Sequence, residues 1–299
     1  ISKAWLGTGE EAATVGPVHA LDRGIDVVAP MIRNAGACCE MGMSVADMLR
    51  GYLATADSPS AGRDGHVGSL GQRVLQPISN IGNIPPVTVG LALSFRMHGI
   101  DGVALTWVGD GSVKSGPIHE AFNFAAVKRL PVIFVIQNNQ VALGTVVGVH
   151  HLPGTFEELG EAYGMAGWSF DGNNVLDAYA ATKLAADRCR RGDGPVMLAA
   201  ETFRMGGHAT HDEREAREVI PPEMFVAWGR RDPIGQYEEH LKQSGVTGEE
   251  LEQIEAEVAD EVQRAADEAL RSREGNTPEP ASALQGVYAG EQGAGSGPP

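Results

Sequence analysis

Val103-Ala104-Leu105-Thr106-Trp107-Val108 runs directly into Gly109-Asp110-Gly111, and Val132-Ile133-Phe134-Val135-Ile136-Gln137 runs directly into Asn138-Asn139. Each run is apolar almost throughout, the pattern of a strand covered by helices on both faces. Between them, residues 116 to 129 repeat apolar side chains at helical spacing, so the unit reads strand, helix, strand. That order needs a crossover and implies parallel pairing. Working outward, Gly167 to Phe170 and Val196 to Ala200 read as further strands, and helices are expected near 15 to 27, 43 to 57, 84 to 98, 175 to 191 and 247 to 273. The resulting fold class is α/β, a doubly wound, mainly parallel sheet flanked by helices. Ligands of such sheets lie beyond the carboxyl ends of the strands, which directs attention to the loops after Val108 and Gln137.

A chain of 299 residues can bury one substantial core. The expected division is an α/β domain over 1–220, a helical extension over 221–275 and a flexible, glycine-rich tail over 276–299. Residues 222 to 273 read as helices only, so no second α/β domain is expected after Arg217. No run of roughly 18 apolar residues occurs, and no membrane span is expected. The formal charge of -16 disfavours nucleic acid and anionic membrane surfaces as partners. A small anionic ligand must then be held by a local site. Much of the acidity lies between Glu238 and Glu274, where Leu251, Ile254, Val258 and Val262 recur at helical spacing beside a solvated acidic face. The start at Ile1 shows neither the charged region nor the apolar core of an export signal, and leaves room for a short preceding segment. Cys38, Cys39 and Cys189 have no metal-ligand spacing and read as buried free thiols, which suits a cytoplasmic location.

The chemistry sits at the two strand ends. The glycines of Gly109-Asp110-Gly111 let backbone approach a ligand closely, and Asp110 offers a hard anionic oxygen to a divalent cation. Asn139, leaving the neighbouring strand, offers a neutral carbonyl oxygen to the same ion. Mg2+ favours few protein oxygens completed by phosphate oxygens, and a helix beginning near Ser115 would turn its positive end toward that phosphate. Gly-Asp-Gly alone also makes an ordinary turn; its pairing with Asn138-Asn139 across one helix and one strand is the informative feature.

That paired arrangement resembles the thiamine-diphosphate signature of transketolase-like and decarboxylating enzymes. From about Arg33 to Leu241 the likeness is to the alpha subunits of pyruvate and branched-chain 2-oxoacid dehydrogenases. It is carried by Gly116-Pro117-Ile118-His119-Glu120-Ala121-Phe122-Asn123-Phe124-Ala125-Ala126, by Leu130-Pro131-Val132-Ile133-Phe134, by Glu201-Thr202-Phe203-Arg204-Met205-Gly206-Gly207-His208 and by Asp232-Pro233-Ile234. The resemblance implies the diphosphate-binding module of the thiamine-diphosphate fold. It makes Asp110, Asn139 and the Val141 carbonyl the Mg2+ ligands, with Gly109 and Gly111 lining the diphosphate and Arg33 gripping it. His208 is similar to the family histidine beside the phosphates and the reacting carbon. Ser79 and Ile81 resemble the segment against the aminopyrimidine, although Ile81 could equally be core. Gln137 is placed toward the phosphates, and His66 near a substrate channel.

Two departures stand out. Ile32 replaces the tyrosine that usually precedes the family arginine, and Ala209 stands where many relatives carry a regulatory serine. The stretch 205 to 219 reads as a loop that orders with cofactor, with Asp212 and Arg217 as an internal pair or as a solvated one. The resemblance further implies decarboxylation of a 2-oxoacid and acyl transfer to a lipoyl-bearing acyltransferase component. The carboxylate that activates the aminopyrimidine would come from a separate beta subunit, in an alpha2beta2 heterotetramer. A split transketolase-like or acyloin-forming enzyme, suggested by Gly65-His66-Val67-Gly68-Ser69-Leu70, and a non-catalytic scaffold remain the alternatives.

Overall fold

Strands β1 (Val27–Ala29), β2 (Ala104–Gly109) and β3 (Val132–Asn138) are followed by a two-stranded antiparallel pair, β4 (Val141–Ala142) and β5 (Thr145–Val146), and then by β6 (Ala166–Asp171) and β7 (Val196–Glu201). In this computed structural model, residues 4–151 and 154–285 are described. The main sheet has the order β1-β2-β3-β7-β6 and is parallel throughout. Register sets Gly109 opposite Gln137 and Asn138 opposite Glu201, so the carboxyl ends of three central strands lie side by side.

The helices are α1 (Glu11–His19), α2 (Ala35–Glu40), α3 (Val45–Tyr52), α4 (Ile84–His98), α5 (Gly116–Lys128), α6 (Val147–His150), α7 (Glu158–Ala162), α8 (Val175–Arg190), α9 (Glu213–Val219), α10 (Pro222–Gly229), α11 (Pro233–Gln243) and α12 (Gly248–Gly275). Helices α4 and α5 cover one face, packing Phe95, Ile118 and Phe122 on Val108, Phe134 and Ile136. Helices α1 and α8 cover the other, where the Trp107 indole N–H donates to the Ala13 carbonyl at 2.9 Å. The helices that lead into β2 and β3, α4 and α5, thus lie on one side and α8, which joins β6 to β7, on the other. That reversal is the switch point of a doubly wound sheet.

Local signals explain the element ends. Asn174 caps α8 by accepting from the amides of Leu176 and Asp177. Gly99 closes α4 in the left-handed conformation. Asp232 caps α11 by accepting from the Gly235 amide, with Pro233 at the first turn, which gives Asp232-Pro233-Ile234 a structural reason. The helix expected at 15 to 27 instead covers Glu11–His19. Apolar spacing continues past its end, but Asp22 and Asp26 close a turn through the Asp22 amide, and Val27 enters β1. The helix expected at 43 to 57 is shorter, Val45–Tyr52, and stops before Ala54, whose φ is 54°. The loop expected over 205 to 219 contains α9, supported by an Arg217 to Glu213 ion pair and by burial of Ala216.

The described residues form two compact units, 4–43 with 68–151 and 154–256, and 44–67 with 257–285. The first holds the sheet. In the second, Arg50 of α3 pairs with Asp47, with Asp57 and with Glu268 on the later part of α12. Ile254, Val258 and Val262 of α12 are about half exposed, whereas Ala265, Ala269 and Ser272 are the positions it buries. Of the expected tail, residues 286 to 299 lie outside the described residues, and Pro280–Leu284 forms a 3-10 turn. Cys38 and Cys189 are buried, which pushes both thiols up to about 12, while Cys39 is exposed against expectation. Among the described residues no helix is long and apolar enough to cross a membrane.

Candidate functional site

Beyond the carboxyl ends of β1, β2, β3 and β7 opens a cleft of about 740 Å³, within the range of small-molecule and cofactor sites. Its lining includes Arg33, Ser79, Ile81, Gly109, Asp110, Gly111, Val141 and His208, which the sequence separates by up to 175 positions. Lys114 and Arg204 line it too. Among the described residues its only carboxylate is Asp110, so in a strongly acidic chain this cleft is locally cationic.

Asp110 is 2% exposed. Its Oδ1 accepts from the Gly111 amide at 2.7 Å, while Oδ2 is buried without a hydrogen-bond partner. Burial pushes this carboxyl above the ordinary aspartate range, and the Gly111 amide offsets part of the effect. An orphaned carboxylate oxygen in a cationic cleft is a costly arrangement unless a cation meets it. The neighbouring glycine is there for space: a Cβ on Gly111 would meet the Ala142 Cβ at 2.4 Å, blocking the approach of β4.

Asn139 is 1% exposed. Its Nδ2 donates to Glu10 Oε1 at 2.8 Å, and its Oδ1 accepts from the Val141 amide at 3.3 Å. The Val141 carbonyl accepts from Arg204 Nη1 at 3.3 Å, and a carbonyl with two lone pairs can also ligate a cation. Arg204 closes this turn further, donating from Nη2 to Leu143 and from Nε to Gly206. Burial, with the like charge of Arg33, lowers its pKa.

Arg33 donates through Nε to Glu10 Oε2 at 3.2 Å, and its Nη1 lies 3.4 Å from His208 Nδ1. Since guanidinium can only donate, His208 Nδ1 is the acceptor and the ring proton sits on Nε2. The rim carries Ser79 and Ile81; Ile81 is 70% exposed, so it is not a core residue of this chain. Gly82 beside it adopts a φ of +88°, and a Cβ there would meet Ser115 Oγ at 2.5 Å.

Two expectations change. Gln137 does not face the cleft: its Nε2 donates to Glu10 Oε1 at 2.5 Å and its Oε1 accepts from Asn34 at 3.0 Å. Asp212 does not pair with Arg217; it accepts from the Ala209 amide at 2.8 Å, while Arg217 pairs with Glu213. His66 belongs to the second unit, where its Nδ1 lies 2.5 Å from Asp64. The sequence reading also missed Glu10, Lys114 and the turn-closing role of Arg204.

The chain matches the model of the "Dehydrogenase E1 component" family over residues 2–278. It is 36% identical to the 2-oxoisovalerate dehydrogenase subunit alpha of Bacillus subtilis, over 94% of this chain and 85% of that one. It is 34% identical to the pyruvate dehydrogenase E1 component subunit alpha of Rhizobium meliloti, over 88% of this chain and 75% of that one. With the corresponding Zymomonas mobilis subunit the identity is 31%, over 88% and 74%. The chain therefore belongs to the dehydrogenase E1 component family, on the branch of its alpha subunits.

Proposed function

We propose that this cleft is the diphosphate and Mg2+ half of a thiamine-diphosphate site, in a 2-oxoacid dehydrogenase whose other half is a beta subunit. Asp110, Asn139 and the Val141 carbonyl would hold Mg2+, a set of hard oxygens that phosphate oxygens complete. Gly109 and Gly111 lie where backbone meets the diphosphate, and Arg33 supplies a permanent forked cation for it. His208, oriented by Arg33, presents its Nε2 proton at the same end, and Ser79 with Ile81 borders the aminopyrimidine. When bound, thiamine diphosphate supplies the electron sink that lets a 2-oxoacid lose carbon dioxide. This chain's part is to neutralise the diphosphate, fix its position and hold protons at His208 Nε2.

The cofactor's aminopyrimidine also needs a carboxylate partner, and the one carboxylate that lines the cleft among the described residues is committed to the cation. A beta subunit in an alpha2beta2 assembly is the source we propose, and a lipoyl-bearing acyltransferase component is the acyl acceptor. The named relatives act on pyruvate and 2-oxoisovalerate, so a short aliphatic 2-oxoacid is the substrate class proposed, in the cytoplasm. The observation that carries this reading is the buried, unpartnered Asp110 Oδ2 in a cationic cleft.

Calorimetric titration of thiamine diphosphate with Mg2+ into this chain, alone and with the protein encoded beside it, tests the reading. Binding is expected in the mixture, weakened at least about 100-fold by Asp110→Ala, since loss of outer partners alone costs metal sites about 10–100-fold. Binding that ignores both Mg2+ and Asp110→Ala would refute it.

A further inference from the structure

Glu10 is completely buried, and its carboxylate meets three side-chain donors, two from the end of β3 and one from the loop after β1. Oε1 accepts from Gln137 Nε2 at 2.5 Å and from Asn139 Nδ2 at 2.8 Å, and Oε2 accepts from Arg33 Nε at 3.2 Å. The network closes on itself. Thr14 Oγ1 donates to the Glu10 carbonyl at 2.9 Å and accepts from Asn34 Nδ2 at 2.7 Å, and Asn34 also donates to Gln137.

An amide side chain can turn over, exchanging its donor and acceptor ends with little change of shape. A carboxylate placed beside it removes that freedom, because an acceptor pairs only with the nitrogen. Glu10 therefore holds Asn139 with Nδ2 inward, which leaves Oδ1 on the Val141 side, next to the second candidate oxygen ligand. The same carboxylate occupies Arg33 Nε, so the remaining guanidinium nitrogens are the ones directed to the cleft and His208.

We infer that Glu10 is a positioning residue that sets the Mg2+-binding face of Asn139 and the diphosphate-facing end of Arg33 together. This rests on the thiamine-diphosphate reading above and deepens it. Glu10 touches neither the cation nor the cofactor; it acts through the two residues that do. A carboxylate in this role fixes both the cation ligand and the anion clamp before either binds, so their ordering is not charged to the binding step.

The test measures the Mg2+ concentration that half-saturates thiamine diphosphate binding, using the full chain mixed with the protein encoded beside it. Glu10→Gln keeps the shape but restores the freedom of the Asn139 amide. It is expected to raise that concentration about 10–100-fold, the range for partners that orient metal ligands. Thr14→Val removes hydrogen bonds from the same network without touching the carboxylate. It is expected to lower the unfolding midpoint but leave the Mg2+ requirement as in wild type. If Glu10→Gln does not fold by circular dichroism, Glu10→Asp, which withdraws the anion by one methylene, should shift the requirement in the same direction. A wild-type Mg2+ requirement in the Glu10 variant, or an equal shift in Thr14→Val, overturns the inference while the wider reading stands. Absence of Mg2+-dependent binding in wild type overturns both.

Discussion

Arg204→Met tests whether one guanidinium holds the turn that carries the candidate cation ligands. Arg204 is 1% exposed and donates to three carbonyls, those of Val141, Leu143 and Gly206. Methionine fills nearly the same volume with an unbranched apolar chain, so packing is largely conserved. The three lost bonds are not equivalent. Leu143 is 64% exposed, and water can replace the arginine at its carbonyl at small cost. Val141 is 1% exposed, and its carbonyl would be stranded. A buried acceptor without a donor costs about 1–3 kcal/mol. Removing a buried cation that sits near Arg33 returns part of this, so the net loss should lie within that range and not add up over three bonds. Urea unfolding should show a lower midpoint with an unchanged slope. Arg204→Lys should be no more stable than Arg204→Met, because a single ammonium cannot reach three divergent carbonyls. Both variants unfolding within about 0.5 kcal/mol of wild type, the range of neutral surface changes, would refute the role.

Two further outcomes follow from other parts of the chain. Asp57 accepts from Ser272 Oγ at 2.5 Å, and this bond chiefly holds its carboxyl below the ordinary range, with Thr55 and Arg50 adding to the effect. A depressed folded-state pKa stabilises above the unfolded value of about 3.9 and is lost as pH falls through the folded value. The stability gap between wild type and Ser272→Ala should therefore shrink below about pH 4; a gap constant from about pH 6 to 3 in the same urea titrations would contradict it. Phe122 is fully buried, packed edge-on to Phe134 at 4.8 Å and to Tyr163 at 5.8 Å. Phe122→Ala should cost about 3–5 kcal/mol, and calorimetric unfolding that shows less than about 1 kcal/mol would mean that the core collapses into the space.

The strands and helices that were legible in the sequence have strong local signals. Strands β2, β3, β6 and β7 and helices α4, α5 and α8 lie within a residue or two of their expected places, because long apolar runs and caps such as Asn174 are local. Strand β1 is only Val27–Ala29, too short to show a period, and it continues the apolar spacing of the segment before it. The two-residue strands β4 and β5 likewise carry no pattern, yet they place Val141 and Ala142 in the cleft. The family landmarks pointed to Asp110, Arg33 and His208, which line the cleft, since these are read by motif and not by contact.

What motif reading missed was direction. Side chains alternate along a strand, so Phe134 and Ile136 of β3 face α4 and α5, and Gln137 faces the side covered by α1. Period alone therefore turns Gln137 away from the α5 side and toward the start of α1, where Glu10 waits. Glu10 gave no signal by itself: it stands 127 residues from Gln137 and 129 from Asn139, and an acidic residue before a helix usually reads as favourable charge at its first turn. Only when the sheet brings the end of β3 beside α1 does the carboxylate find three donors and no water. The site is thus split into two kinds of information. The groups expected to touch the ligand are written in local motifs, and the groups that aim them are written in the alternation of a strand and in contacts made across the sheet.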